Sequence, residues 1–133
     1  MSIARELRLL QRKWKRSKAR NLLKPIPDGN YKCRIIDARI EKSKSSGRLQ
    51  VVQILQILRP KKYKSRMLYR YAGLETKGNL GFFKSDLKRL GIKIPKNIIN
   101  ISRSIENTID LKCSVTVRTR GEFTNIFINR LIK

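Results

Sequence analysis

The stretch IPDGNYKCRIIDARIEKSKSSGRLQVVQILQIL, Ile26 to Leu58, decides the fold. Asp28-Gly29 has the composition of a turn. From Asn30 to Glu41 apolar and polar residues alternate with the period of a half-buried strand. Tyr31, Cys33 and Ile35 share one face; then the phase slips by one residue, and Ile36, Ala38 and Ile40 continue the apolar pattern. A slip of this kind is what a β-bulge or sharp coiling produces. Lys42 to Gly47 is a polar turn, and Arg48 to Leu58, rich in Val, Ile and Leu, is a second strand. The two together predict a long hairpin.

Downstream, Arg59 to Arg66 (RPKKYKSR) is a basic loop with Tyr63 in its middle. Met67 to Ala72 predicts a third strand, with Tyr69 and Tyr71 on one face and Arg70 on the other. Asn79 suits the N-cap of a helix running to Leu90, with Gly91 as its C′ residue. Leu80, Phe83, Leu87 and Leu90 form that helix's apolar stripe. A short helical turn is expected around Arg103 to Glu106. Ile109, Leu111, Cys113, Val115 and Val117 alternate as a fourth strand. Arg120-Gly121-Glu122 turns the chain into a fifth strand, Phe123 to Ile132. Three strands, a helix, then two strands is the element order of an OB-fold. The expected fold is therefore mainly β: a five-stranded, OB-fold-like Greek-key barrel with a helix between strands three and four. A bulged first strand suits it, because a strand shared by both halves of such a barrel must bend.

Upstream, Ile3, Leu7, Leu10 and Trp14 recur at helical spacing among basic residues. Residues 1–24 hold nine Lys and Arg against the single acid Glu6. They predict a basic amphipathic N-terminal helix that ends before Pro25 and Pro27. The chain thus divides into this helix, 1–24, and a domain, 25–133. The stripe is expected to dock on the domain through Trp14. An Arg-rich, acid-poor start is also a feature of transit peptides, although the two-proline link shows no cleavage signal.

The charge points to a partner. The 133 residues carry 33 Lys and Arg against 9 Asp and Glu, a formal net charge of +24. Such a surface repels itself, and a polyanion relieves the repulsion. Chemistry is sparsely provided. The chain lacks histidine, the commonest general base. Its acids are scattered, and no phosphate-cradling glycine motif is present. Cys33 and Cys113 each fall in an alternating run and read as reduced core thiols, with a cross-strand disulfide as the other reading. No stretch approaches the roughly 20 apolar residues that span a bilayer. The expectation is a cytoplasmic, bacterial or infected-host, binding protein that is not an enzyme. It needs no cofactor, metal or small-molecule substrate and has no stable membrane association.

Three segments carry a resemblance. Ile26 to Leu58, with its Pro-x-Gly-x-Tyr opening, resembles the first hairpin of small phage-type OB-fold proteins, a group that includes single-stranded DNA-binding proteins. FFKSDLKRLGIKIP, Phe82 to Pro95, is similar to that family's helix and exit. GEFTNIFINRLIK, Gly121 to Lys133, is similar to its closing strand. The resemblance covers about 100 residues and implies an OB-fold that binds single-stranded DNA during phage-type replication or recombination. The basic segment 1–24 departs from the pattern. So does the C-terminal sequence Arg130-Leu131-Ile132-Lys133, which is not the acidic tail that many such proteins use to recruit partners.

Single strands are held by basic grooves and by aromatic rings that stack on bases. Both ingredients meet between Arg59 and Tyr71, where six cations and no acids surround Tyr63, Tyr69 and Tyr71. From this window the expected contacts are Lys61, Lys62, Tyr63, Lys64, Arg66, Tyr69, Arg70 and Tyr71. The alternative places Tyr69 and Tyr71 in the core and leaves only Tyr63 exposed. The first hairpin adds Lys32, Arg34, Arg39, Lys42, Lys44 and Arg48. The last two strands add Lys112, Arg118, Arg120 and Arg130. Phe82, Phe123 and Phe127 are expected in the core. Three readings follow: a sequence-tolerant single-stranded DNA-binding protein, an RNA-binding or ribosome-associated basic OB protein, and a membrane-surface or protein-interaction module built on the N-terminal helix.

Overall fold

The computed structural model describes residues 2–16 and 25–132. Five strands, β1 (Gly29–Lys42), β2 (Leu49–Arg59), β3 (Met67–Gly73), β4 (Lys112–Arg120) and β5 (Phe123–Ile132), form one antiparallel sheet in the order β3-β2-β1-β4-β5. The helices are α1 (Ile3–Leu9), α2 (Gln11–Arg16), α3 (Lys77–Arg89) and α4 (Ile101–Glu106). The mainly β class expected from the alternation patterns is the class observed.

β1 is long enough to serve two partners. It pairs with β4 over Gly29 to Arg34 and with β2 over Lys32 to Lys42. The β1–β2 register shifts between Ile35 and Asp37, which is where the hydrophobic phase slips in the sequence. The extra residue lets Cys33 and Ile35 on one side of the bulge, and Ala38 on the other, all reach the core. There they meet Leu55 and Ile57 of β2, Leu68 of β3, Val115 and Val117 of β4, and Ile126 and Ile128 of β5. α3 adds Phe83 and Leu87, and α4 adds Ile105. Each of the Val, Leu, Ile and Phe side chains among them contributes about 1.5–3 kcal/mol when fully buried.

β3 and β5 are the edges of the sheet, each with one strand neighbour. The sheet curls enough for Arg70 of β3 to donate from Nε to the Ile126 carbonyl of β5 at 2.8 Å. α3 packs against both edge strands.

Local boundaries differ from the sequence reading for identifiable reasons. α3 starts at Thr76, whose hydroxyl accepts from the Asn79 N–H at 3.0 Å, so Asn79 lies inside the first turn. Gly78, a poor helix former, conceals that start in the sequence. Gly91 takes φ +73°, as a C′ residue should. β4 begins at Lys112 and not at Ile109, because Asp110 adopts φ +72° and interrupts the extended backbone.

The N-terminal segment departs most from expectation. No residue of α1 or α2 is buried, and the chain turns at Leu10 between them. Leu10 is 50% and Trp14 76% exposed, so the apolar stripe is not docked in the core. The expected continuation of this helix to Lys24 lies outside the described residues. Among the described residues, no helix is long and apolar enough to cross a membrane.

Candidate nucleic-acid interface

Alternation along β3 sends Leu68 inward and Tyr69 and Tyr71 outward, where both rings are exposed. Alternation along β5 buries Ile126 and Ile128 and turns Phe123 and Phe127 outward. On α3, Phe83 and Leu87 take the buried stripe, and Phe82, about 100° further round the helix, is 74% exposed. These five rings line one groove of about 670 Å³ between the edges of β3 and β5 and α3. Water solvates such rings poorly, and their gathering around a concavity makes this groove the candidate site. The expectation that Phe82, Phe123 and Phe127 are core residues is therefore corrected, and so is the alternative that buries Tyr69 and Tyr71.

The signal for the missed rings is in the sequence. Once Ile126 and Ile128 take the inward positions, the period of two leaves only the outward face for Phe127 and Phe123. Phe82 likewise falls off the Leu80, Phe83, Leu87 stripe.

The floor of the groove is polar. Arg70 shares the inward parity of Leu68, and its side chain is only 12% exposed. Its guanidinium donates to Gln53 Oε1 at 2.9 Å and pairs with Asp86 of α3 at 2.5 Å. Asp86 also takes Arg89 at 3.4 Å. Arg70 thus departs from its expected place on an exposed basic surface.

A basic face adjoins the groove. The β4–β5 register sets Thr116 opposite Phe127, Arg118 opposite Asn125 and Arg120 opposite Phe123. A second depression of about 380 Å³ lies over these residues and shares Asn125, Phe127 and Asn129 with the groove. Inside it the Thr116 hydroxyl donates to Asn30 Oδ1 at 2.7 Å and accepts from Asn129 Nδ2 at 2.8 Å. Further along, Arg34 stands directly opposite Lys112, Lys32 opposite Ser114, and Ser114 opposite Arg130. Like charges directly opposite, as at Arg34 and Lys112, destabilise a sheet.

The remaining expected contacts lie elsewhere. Lys61, Lys62 and Lys64 are exposed on the β2–β3 loop, with Arg66 half-buried, and none of them lines the groove. Tyr63 is not an open platform: it is half-buried and packed against the core. Arg39 is held by Asp37 at 2.5 Å and Glu41 at 3.2 Å, so two neighbouring carboxylates offset its charge. Lys42, Lys44 and Arg48 are exposed at the tip of the β1–β2 hairpin.

Cys33 and Cys113 are free, buried and directly opposite one another. Burial pushes the Cys33 thiol up to about 12 and the Cys113 thiol up to about 11, far from the range of a reactive thiolate. Among the described residues, no group of His, Cys, Asp and Glu side chains is arranged to hold a metal ion. Compared with known proteins, the chain matches no family model and no curated protein.

Proposed function

We propose that this protein binds single-stranded DNA, with little sequence preference, in the aromatic groove between β3, β5 and α3. The observation that carries the proposal is the convergence of five exposed rings from three separate elements on one groove, beside a face bearing Arg118 and Arg120. Unpaired bases stack on such rings, each contributing roughly 1–3 kcal/mol, and the phosphates follow the cations. A duplex keeps its bases inside and cannot use the rings. The net charge of +24 supports a polyanionic partner. The strand order β3-β2-β1-β4-β5 supports reading the sheet as an OB-type Greek-key barrel left open between its third and fifth strands. In that reading the protein is a binding module, not an enzyme, and serves phage-type DNA replication or recombination.

The test is a competition between single-stranded DNA, duplex DNA and single-stranded RNA of one length at two salt concentrations. Single-stranded DNA should win, and its lead over the duplex should persist as salt rises, because stacking is not screened while phosphate contacts are. Equal or tighter duplex binding rejects the reading in favour of a generic polyanion binder. A clear preference for RNA assigns the groove to RNA.

A further inference from the structure

The walls of the groove stand on elements that no backbone ladder joins. Tyr69 and Tyr71 belong to β3 and Phe123 and Phe127 to β5, and these strands are the two free edges of the sheet. Phe82 belongs to α3. Something other than β-pairing must fix their spacing.

The hydrogen-bond alternation identifies what does. The Ile57 N–H donates to the Arg66 carbonyl at 2.8 Å before β3, and the Leu74 N–H donates to the Leu49 carbonyl at 3.2 Å after it, so the even-numbered residues face β2 at both ends. Counting in twos, Leu68, Arg70 and Ala72 direct their main-chain groups to β2, and Tyr69 and Tyr71 direct theirs to the open edge. Across the gap, the Ile126 carbonyl accepts from the Arg70 side chain. One guanidinium therefore touches β5 at Ile126, β2 at Gln53 and α3 at Asp86. Gln53 is 2% exposed, and the Asp86 side chain 7%. At this burial an unmet charge is expensive, and the rigid fork of arginine is what satisfies three differently placed acceptors at once.

Resting on the single-strand reading above, we infer that Arg70 is a positioning residue. Paired with Asp86, it holds β3, β5 and α3 at the separation that lets bases enter between the rings, and it does not itself contact phosphate. Lysine, with one nitrogen, cannot span the three acceptors.

The experiment uses the full chain, with Arg70→Gln and Asp86→Asn, titrated over a range of salt with a single-stranded oligonucleotide carrying 2-aminopurine and with its duplex. Thermal melts establish that each variant is folded. Both variants should bind the single strand about tenfold or more weakly, the size of one lost stacking contact. Both should lose preference over the duplex and show less quenching of 2-aminopurine, with the salt slope unchanged. A direct phosphate contact gives a different signature. Arg70→Gln would then flatten the slope by about 0.7, and Asp86→Asn, by releasing the guanidinium, would tighten binding. Either of those results overturns the inference, as does unchanged affinity in both variants. Because Asp86 also pairs with Arg89, Asp86→Asn is compared in an Arg89→Gln background, where Arg70 is the one partner it releases, and there it decides the matter if Arg70→Gln does not fold. A wild-type chain without single-strand preference instead defeats the functional reading, and this is seen before any variant is made.

Discussion

The ring of Tyr63 meets the ring of Tyr31 nearly edge-on, with centroids 5.9 Å apart and planes at 73°. Tyr31 is buried at the start of β1, and its hydroxyl donates to the Pro27 carbonyl at 2.5 Å. Tyr63 thereby fastens the basic β2–β3 loop onto the core, and Lys62 Nζ lies over its ring, 5.6 Å from the centroid. Tyr63→Ala should therefore lower stability by about 1–3 kcal/mol, the range for losing an aromatic pair and part of its burial. It should leave single-strand affinity nearly intact. Tyr71→Ala should do the reverse, weakening binding by roughly 1–3 kcal/mol with little change in stability. Denaturant melts and titrations on the two variants check both halves. A binding defect in folded Tyr63→Ala would return that ring to the interface.

Cations on the same sheet should differ sharply in their effect on binding. Arg39 is engaged by Asp37 and Glu41, whereas Arg118 and Arg120 flank the depression next to Phe127. Replacing Arg118 and Arg120 together by Ala should flatten the log–log salt dependence by about 1.4, two phosphate contacts at about 0.7 each. Arg39→Ala should leave the slope unchanged. A steeper loss from Arg39 than from the pair would move the strand's path onto β1 and β2.

Much of the sheet is legible in the sequence because most of its strands bury one face, and a period of two then fixes both element type and facing; β2 departs from it where Val51, Val52 and Gln53 are buried in succession. The slip at Ile35 and Ile36 even locates the bulge. The candidate site is half legible. Tyr69 and Tyr71 emerge from the alternation, and Arg118 and Arg120 share the outward parity of Thr116. Phe123 and Phe127 are mistaken for core residues because hydrophobicity and parity conflict there, and hydrophobicity is the less reliable guide on a strand that lines an open groove. Arg70 is misplaced for the opposite reason. A charge in an inward position reads as exposed until Asp86, 16 residues later, is brought beside it by the packing of α3. No local pattern encodes that encounter.

The two thiols give a check on the core. Burial holds Cys33 at about 12 and Cys113 at about 11, so neither is ionised near neutrality. In the native protein both should resist an alkylating reagent at about pH 8, and both should react promptly once denaturant unfolds the chain, since a free thiol titrates near 8.5. Mass spectrometry of the two samples counts the labels. Rapid native labelling of either cysteine would mean that the β1–β4 centre opens far more readily than its packing implies.

Asp28 ties the start of the domain to the end of β4, and the tie depends on its charge. Its carboxylate accepts from the Thr119 N–H at 3.0 Å and from the Thr119 hydroxyl at 2.8 Å. The main-chain hydrogen bond, then the hydroxyl, then the nearby charge of Arg118 hold the carboxyl below its ordinary value of 3.8. With the folded value depressed, the unfolded chain binds the proton more readily. The stabilisation is therefore fully present above the ordinary carboxylate value and fades as pH falls through it toward the folded value. Acidification also raises the self-repulsion of this cationic chain, so a simple loss of melting temperature in acid would not isolate Asp28. Comparison with Asp28→Asn does, because the other acids are common to both proteins. The wild type should melt higher than the variant at about pH 6, and the gap should narrow as pH falls below the ordinary carboxylate value of 3.8. A gap that stays constant across this range would mean that the carboxylate charge contributes nothing and that shape alone joins Asp28 to Thr119.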